Sequence, residues 1–388
     1  MASGRHKPFL PFEIIINILK RLPIKSIVRF QCVCKDWKNL FKTQSFIAEQ
    51  VRHSAHENPL LLIHAYDYEC RRSSLRLFNH KMETVEVLRT PSIFSRGWRI
   101  IGSSNGLLCV QLDADEDRFP ISLCLWNPVS NELREVPEPL YDYTHTCAVG
   151  FGFSRVVNDY KIVGFYNKNL LRKDAGNHNR SDWLDCGQVY SLRTGSWKEL
   201  EMKHIHTRLF TDATSVDGTI FWFGGTFSYE TLVAFDIATE LFTLTPMHAL
   251  SLNVGVRDLV LLYMLGNKLA MCEGFVSAEE LSKPYSFHIW VIEECAGESG
   301  KSYNCTEKHR IAPTSKFLIP LCIWRNEIVC QYEKNEAEEE VDQRNFLFLF
   351  NLTTKDWKKF PCFSAAYDHC DIFNYERSLA SVCNTLVD

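Results

Sequence analysis

The chain has 388 residues, which is too long for one ordinary hydrophobic core and long enough for a small domain beside a large one. Its 46% hydrophobic and 23% charged residues are typical of a globular protein and exclude a collagen-like or largely disordered chain. Aromatic residues make up 13% of the sequence, which favours β-sheet because rings pack well on a pleated surface.

The net charge of −4 conceals a basic N-terminal region. Residues 1–55 carry 10 Lys or Arg against 3 acidic residues, whereas the remainder carries 33 against 44. A region with this excess of positive charge suits nucleic acid, anionic lipid or an acidic protein as its partner.

The 15 cysteines predict a reducing compartment, since they are odd in number and include no CxxC pair. The sequence opens with no apolar signal core, and no apolar run approaches the ~18–20 residues that a membrane span needs. We therefore expect a cytoplasmic or nuclear protein without a membrane partner.

Short helices are predicted within the first 55 residues. Leu10 and Pro11 suit the start of a helix, because proline has no N–H to leave unpaired there, and Glu13 complements the helix dipole. Pro23 ends this helix, whose apolar stripe is Ile14, Ile15, Ile18, Leu19 and Leu22. Three further helices are expected near residues 25–32, 33–41 and 46–51. So small a module has more large apolar residues than its own core needs, which predicts a partner or a neighbouring domain.

The rest of the chain repeats a β-hairpin pattern, in which an apolar pair, a polar turn and a second alternating run follow one another. Copies lie at residues 77–88, 125–137, 189–200, 234–246 and 349–361, with a degenerate sixth copy at 287–294. Their anchoring aromatics are Phe78, Trp126, Tyr190, Phe235, Trp290 and Phe350. The spacings of 48, 64, 45, 55 and 60 residues are close to the period of a kelch-type propeller blade. Two more strand-like runs accompany most hairpins, which predicts four-stranded units in a β-propeller of about six blades.

The first unit, residues 58–88, is one strand short. Residues 369–382 alternate like a strand but have no unit of their own. We predict that the C-terminal strand completes the first unit, because closing the ring in this way removes open sheet edges.

Long insertions mostly follow the second strand of a unit, at residues 113–118, 167–185, 274–284 and 333–344. In an antiparallel four-stranded unit, the connections after the second and fourth strands emerge on the same face. The irregular, charged insertions are therefore expected on one face, where loops on a rigid scaffold usually carry recognition. The alternative is that they are merely tolerated surface insertions.

The sequence contains no GxGxxG, P-loop, HExxH or CxxC pattern, and residues 102–106 match GxSxG by spacing alone. His204 and His206 would share a face on a strand, but no Cys or carboxylate can be paired with them as metal ligands. Cys32 and Cys34 are expected to be small core residues, and Trp197 and Trp357 to be blade core. No cofactor, metal or nucleic acid is expected. A propeller hydrolase or oxidase with residues converging from several blades stays an alternative.

The first 50 residues closely resemble the F-box of plant proteins. The resemblance lies in Leu-Pro-x-Glu, then after eight residues Leu-Pro-x-Lys-Ser, and then Arg-Phe-x-Cys-Val-Cys-Lys-x-Trp. One departure is Phe12, which stands where a polar residue is more usual. The resemblance implies a three-helix module that docks on the acidic Skp-type adaptor of an SCF ubiquitin ligase and, through it, on a cullin and a RING subunit. The residues implied in adaptor binding are Leu10, Pro11, Ile14, Ile18, Leu22, Pro23, Ile24, Ser26, Ile27, Arg29, Val33, Cys34, Lys35, Trp37 and Leu40.

The helical module has two other possible interpretations. It could be a helical cap on the chain's own β domain, or a helix-turn-helix reader of DNA. The basic residues are scattered among the helices rather than gathered on one recognition helix, which argues against the DNA reader.

The β part resembles the F-box-associated, kelch-like domain of the same family in the segments GSSNGLLCV, WNPVSNELREVP, VGFGFSRVVNDYKIV and VYSLRTGSWKEL. The expected protein is thus mainly β with an N-terminal all-α module, divided into an F-box at 1–55 and a propeller at 56–388. The resemblance implies a non-catalytic substrate receptor of a ubiquitin ligase, in a family that includes S-locus F-box proteins and regulators of immune receptors. A binding module that works without a ligase is another alternative.

Acidic residues in the insertions favour a target protein with a basic surface, and the S-locus resemblance would imply a secreted ribonuclease. The expected target-binding residues are Asp115, Glu116, Asp117, Arg172, Lys173, Arg180, Trp183, Glu279, Glu280, Glu338, Glu339 and Glu340.

Overall fold

The chain folds into a small helical module followed by a β-propeller. The structure is a computed structural model that describes residues 10–54, 59–67, 72–94, 97–112, 122–140, 146–166, 184, 186–202, 205, 207–225, 230–247, 259–275, 286–297, 300–312, 318–332, 346–361 and 369–383. Its helices are α1 (Phe12–Leu19), α2 (Ile24–Phe30), α3 (Lys35–Leu40) and α4 (Gln44–Ser54). None of the helices within these ranges is long and apolar enough to cross a membrane.

Prolines set the starts of the first two helices. Pro11 and Pro23 occupy the N-cap positions of α1 and α2. Helix α1 was expected to reach Leu22, but it ends at Leu19 because the last turn tightens. The N–H of Arg21 bonds to the carbonyl oxygen of Ile18, a three-residue spacing that is common where helices end.

The helices enclose a core of their own. Its fully or nearly buried side chains are Leu19, Ile24, Ile27, Phe41, Phe46 and Ile47. The rings of Phe41 and Phe46 pack 5.1 Å apart, so α4 joins this core as the fourth helix that the sequence predicted near residues 46–51, in addition to the three helices that the resemblance implied.

Twenty-five strands make up the described β part. They are β1 (Leu60–Asp67), β2 (Arg72–Phe78), β3 (Thr84–Val87), β4 (Trp98–Ser104), β5 (Leu107–Leu112), β6 (Ser122–Asn127), β7 (Glu132–Glu135), β8 (Thr146–Ser154), β9 (Asp159–Tyr166), β10 (Cys186–Ser191), β11 (Ser196–Leu200), β12 (Arg208–Leu209), β13 (Thr214–Val216), β14 (Thr219–Gly225), β15 (Glu230–Asp236), β16 (Leu241–Pro246), β17 (Leu259–Leu265), β18 (Lys268–Phe275), β19 (Ser286–Gly297), β20 (Gly300–Ile311), β21 (Leu318–Trp324), β22 (Glu327–Tyr332), β23 (Phe346–Asn351), β24 (Trp357–Pro361) and β25 (His369–Tyr375).

These strands form six antiparallel sheets, which we number as blades in chain order. Blade 1 has the order β25-β1-β2-β3, and blades 2, 3, 5 and 6 each use four consecutive strands. In blade 4, β12 and β13 both pair with β14. Each blade has one innermost strand, which we count as its first strand. These strands are β25, β4, β8, β13, β17 and β21, and each contacts the next in a closed cycle. The expected six-bladed propeller is confirmed.

The C-terminal strand closes the ring, as predicted. Strand β25 pairs with β1 along seven residues, with Ile372 opposite Ile63. The strand ends at Tyr375, earlier than the predicted 382, and residues 376–383 leave the sheet.

The predicted hairpins form the two outer strands of five blades. Large side chains pair across the third and fourth strands, and Tyr190 faces Trp197 just as Phe350 faces Trp357. The rings in these pairs lie 5.4 and 4.9 Å apart, so both tryptophans belong to the blade packing as expected. The sixth copy was wrong in extent, because residues 287–294 lie within the single strand β19, whose hairpin partner is β20.

The antiparallel order gives the propeller two distinct faces. We call the face with the connections after the first and third strands the turn face, and the opposite one the insertion face. The helical module lies on the turn face, where Val129, in the connection between β6 and β7, packs against the module core. The four predicted insertions follow the second strands β5, β9, β18 and β22 in the sequence, and the C-terminal ends of these strands lie at the insertion face.

Candidate functional site

The helical module carries a group of exposed apolar side chains. Leu10, Phe12, Ile14, Ile18 and Val33 expose between 45% and 61% of their surface. Ile14 and Ile18 lie four residues apart in α1, a spacing that puts them on one face of the helix. Large apolar residues gathered on a small module are a mark of a protein-binding surface, because their exposure to water is unfavourable.

The predicted adaptor-binding residues fall into three groups by burial. The exposed residues are Leu10, Pro11, Ile14, Ile18, Pro23, Arg29, Val33, Cys34 and Lys35. Leu22, Ser26, Trp37 and Leu40 are half-buried. Ile24 and Ile27 lie in the module core, where they support the surface and cannot reach a partner directly. Sequence reasoning noticed Phe12 only as a departure from the motif, yet its 49% exposure places it on this surface.

Cys32 and Cys34 were expected in the core, and this was wrong. Both thiols are exposed, at the link between α2 and α3. Cys34 is the N-cap of α3, and its Sγ accepts a hydrogen bond of 3.5 Å from the backbone N–H of Trp37. A side chain used as a cap lies at the surface of a helix end, so the small size of cysteine says nothing here about burial.

Positive charge accompanies the apolar surface. Arg21, Arg29, Lys35 and Lys38 are exposed. Lys20 is instead engaged by Glu49 within the module. The exposed cations leave the module suited to an acidic partner.

The predicted target-binding residues lie outside the described residues, as do His204 and His206. The strands that flank the insertions are described. Leu112 at the end of β5 pairs with Ser122 at the start of β6, which fixes where the segment between them leaves the sheet.

The innermost strands surround a cavity of about 360 Å³. Its described lining is mixed, with apolar side chains such as Phe151 and Tyr263, hydroxyl side chains such as Ser215, and the carboxyl groups of Asp212 and Asp371. Within the part of the chain that the structure describes, no three His, Cys, Asp or Glu side chains come close enough together to hold a metal ion.

The fold and the exposed surface define a two-part protein, in which a closed six-bladed propeller carries a helical module with an exposed apolar surface. Residues 61–385 match the family described as the F-box associated beta propeller domain, and residues 9–48 match the F-box domain. The chain therefore belongs to the family of F-box proteins with an F-box associated β-propeller, and the resemblance found in its sequence is confirmed.

Similar proteins come from Arabidopsis thaliana. F-box protein At3g08750 is 29% identical over 61% of this chain and 59% of its own length. Putative F-box only protein 15 is 26% identical over 60% of this chain and 57% of its own length. The chain thus spans about three fifths of the length of these curated relatives. Among solved structures, TolB from Acinetobacter baumannii gives a TM-score of 0.43 at 9% identity, over 86% of this chain and 72% of that chain.

Proposed function

We propose that this protein is the substrate-recognition subunit of an SCF-type ubiquitin ligase in the cytoplasm or nucleus. The F-box docks on a Skp-type adaptor, which connects it to a cullin and a RING subunit. The propeller holds a target protein for ubiquitination, and the chain itself supplies no catalytic group. The observation that carries the proposal is the exposed apolar surface of Leu10, Phe12, Ile14, Ile18 and Val33 on a module that matches the F-box.

The apolar surface of the helical module and the basic residues beside it both suit binding to an acidic adaptor. Burial of exposed Leu, Ile and Phe side chains in a complex supplies binding free energy, at about 25 cal/mol for each Å² of apolar surface. The exposed Arg and Lys residues of the module accelerate encounter with an acidic adaptor. Transfer of ubiquitin within such an assembly depends on proximity, since the ligase and the target's lysines are held at a high effective concentration.

Co-expression with a Skp-type adaptor, followed by size-exclusion chromatography, tests the docking. We expect a stable one-to-one complex with the unchanged chain. Replacing Ile14 and Ile18 together by Asp should weaken the affinity about tenfold or more, because charges replace two apolar contacts. Val156→Asp is the matched control, since Val156 is an 86% exposed apolar residue on the propeller.

The two variants separate docking from folding. Both should keep the melting temperature of the unchanged chain, because the substituted side chains are already exposed. If the chain runs alone beside the adaptor, or if the double Asp variant binds as well as Val156→Asp, the docking proposal is wrong.

We further propose that the insertion face holds the target, with the acidic residues at 115–117 and 338–340 meeting a basic surface. A basic secreted ribonuclease of the S-locus type is one target compatible with this charge. Binding of purified basic ribonucleases to the chain by interferometry tests the proposal. Reversal of Glu338, Glu339 and Glu340 to Lys should reduce the association rate and its salt dependence. An association rate that the reversal leaves unchanged would exclude this face as the source of the charge.

A further inference from the structure

Residues 376–383, which we call the brace, run between the helical module and blade 2. They leave the end of β25 on the turn face. The side chain of Leu379 is 8% exposed and packs in the same cluster as Leu19 and Phe41 of the module. Ala380 and Val382 pack instead in the cluster shared by blades 2 and 3. Neighbouring residues of the brace therefore contact both domains.

Side chains of blade 2 hold the backbone of the brace. The buried amide of Asn127 donates from Nδ2 to the carbonyl oxygens of Ser378 and Ala380, at 3.0 and 2.6 Å. The carboxylate of Glu132 accepts hydrogen bonds from Ser381 Oγ at 2.7 Å and from the backbone N–H of Val382 at 3.2 Å.

The side chain of Asn127 also accepts a hydrogen bond within its own turn, and a carboxylate could accept that bond equally well. Its Oδ1 accepts the backbone N–H of Val129 at 2.8 Å, which fixes the turn between β6 and β7. At the corresponding turn of blade 4, Asp236 accepts the N–H groups of Ala238 and Thr239 through its own Oδ1. The amide nitrogen of Asn127 is thus needed for the brace and not for the turn.

Ion pairs provide a second connection between the helical module, the propeller and the brace. The carboxylate of Glu86 in β3 accepts from Lys25 Nζ in α2 at 2.6 Å and from Arg377 Nη2 in the brace at 2.8 Å. One side chain of blade 1 therefore links the helical module to the start of the brace.

We propose that the brace fixes the orientation of the F-box relative to the propeller, and that Asn127 and Leu379 are positioning residues for it. The consequence for ubiquitin transfer rests on the proposed function. With the adaptor on the turn face and the target on the insertion face, the angle between the domains sets the distance from ligase to target. A fixed angle raises the effective concentration of the target's lysines and restricts which lysines are reached.

Matched asparagine variants test the brace. Asn127→Asp keeps the turn acceptor but places a carboxylate oxygen against two carbonyl oxygens, so we expect release of the brace. Asn351→Asp is the control, because Asn351 Oδ1 accepts the N–H groups of Thr353 and Thr354 in a similar turn of blade 6, and its Nδ2 reaches Glu327 rather than the brace. Leu379→Ala is a second variant that removes only the contact of the brace with the helical module.

The readout is the distance between spin labels carried by unnatural amino acids at the exposed positions Asn39 and Arg155, which spares the cysteines. We expect one narrow distance peak in the unchanged chain and in Asn351→Asp, and loss of that peak in Asn127→Asp and in Leu379→Ala. Each variant should keep a single cooperative unfolding transition and the adaptor affinity of the unchanged chain, which a general loss of fold would not allow. A narrow peak in Leu379→Ala and in a folded Asn127→Asp would overturn the proposal. The measurement needs the chain alone, so it remains decisive even if the adaptor does not bind.

Discussion

Lys161 of blade 3 reaches across to Glu240 of blade 4, where its Nζ lies 2.6 Å from the carboxylate oxygen Oε1. Lys161 is only 5% exposed, and its Nζ also donates to the carbonyl oxygen of Ile237 at 2.8 Å. Lys198 donates to the second carboxylate oxygen of Glu240. The charge of Glu240 is thus shared by two cations, and a buried lysine finds partners in the neighbouring blade.

This contact predicts a loss of stability in acid. Burial by itself would raise the pKa of Glu240, but hydrogen bonds from Lys161 and Lys198 outweigh it and hold the pKa below its usual value. A depressed pKa contributes stability above the usual value of about 4.3, and that contribution disappears as the pH falls through the pKa of the folded state. Glu240→Gln should therefore lower the melting temperature near pH 7, and the difference should vanish in acid. The exposed Glu138→Gln is the control; a difference that persists unchanged at pH 3 would contradict the assignment.

Replacement of glycine by alanine should destabilise the protein at Gly150 but not at Gly102. A Cβ at Gly150 would overlap the ring of Trp222 and lie 2.8 Å from Cγ2 of Ile220, whereas at Gly102 the nearest atom, Phe151 Cβ, is at 3.6 Å. Gly150→Ala should cost about 1–3 kcal/mol of unfolding free energy through overpacking. Gly102→Ala should be close to neutral, because restriction of the unfolded chain favours alanine. Urea unfolding of both variants measures the difference, and equal midpoints would refute the packing shown between blades 3 and 4.

The cysteines should divide into reactive and inert groups. Cys32, Cys34 and Cys383 are exposed, whereas burial raises the pKa of the Cys124 thiol to about 12 and that of Cys322 well above its usual range. Among the described cysteines, iodoacetamide at neutral pH should modify Cys32, Cys34 and Cys383 first, since the thiolate is the reacting form. Peptide mapping over time, with the unfolded chain as the control, gives the rates. Early modification of Cys124 or Cys322 in the folded chain would be inconsistent with the described core.

Removal of the closing strand β25 should leave the edge of β1 with unpaired backbone groups. A chain that stops after residue 368 lacks β25 and exposes the edge of β1, which invites association between molecules. A chain that stops after residue 383 keeps β25 and the brace, and serves as the control. We expect oligomers from the first and monomers from the second by size-exclusion chromatography. A synthetic peptide covering residues 366–383 should restore the monomer, and monomers without the peptide would argue against closure by β25.

Local sequence signals predicted most of the architecture. The F-box motif and the alternating hairpins are short-range patterns, and the closing strand followed from a unit that was one strand short. The apolar stripe continues to Leu22, but Leu22 precedes Pro23, and a residue before proline is disfavoured in helical conformation, so the stripe is longer than helix α1. The exposure of Cys32 and Cys34 depends on how a short link turns between two helices, which residue type does not reveal.

The contacts of the brace with blade 2 could not be predicted from the sequence. Its main hydrogen bonds join Asn127 to residues more than 250 positions away, and no local periodicity marks them. The asparagine has an obvious local explanation in its turn, which conceals its second contact. Likewise, the pairing of Lys161 with Glu240 spans two blades and follows only from their arrangement in the ring.

The pairing of Ile63 with Ile372 has a kinetic consequence. At a synthesis rate of roughly 5–20 residues per second, the ribosome needs roughly 15–60 seconds to add the residues between these partners. Throughout that interval β1 is already made while its neighbour does not yet exist. The F-box can complete its core during the same interval, because its helices are local in sequence. The nascent chain therefore presents the exposed apolar surface of its helical module long before its propeller ring can close, and a chaperone or the proposed adaptor has that time to bind it.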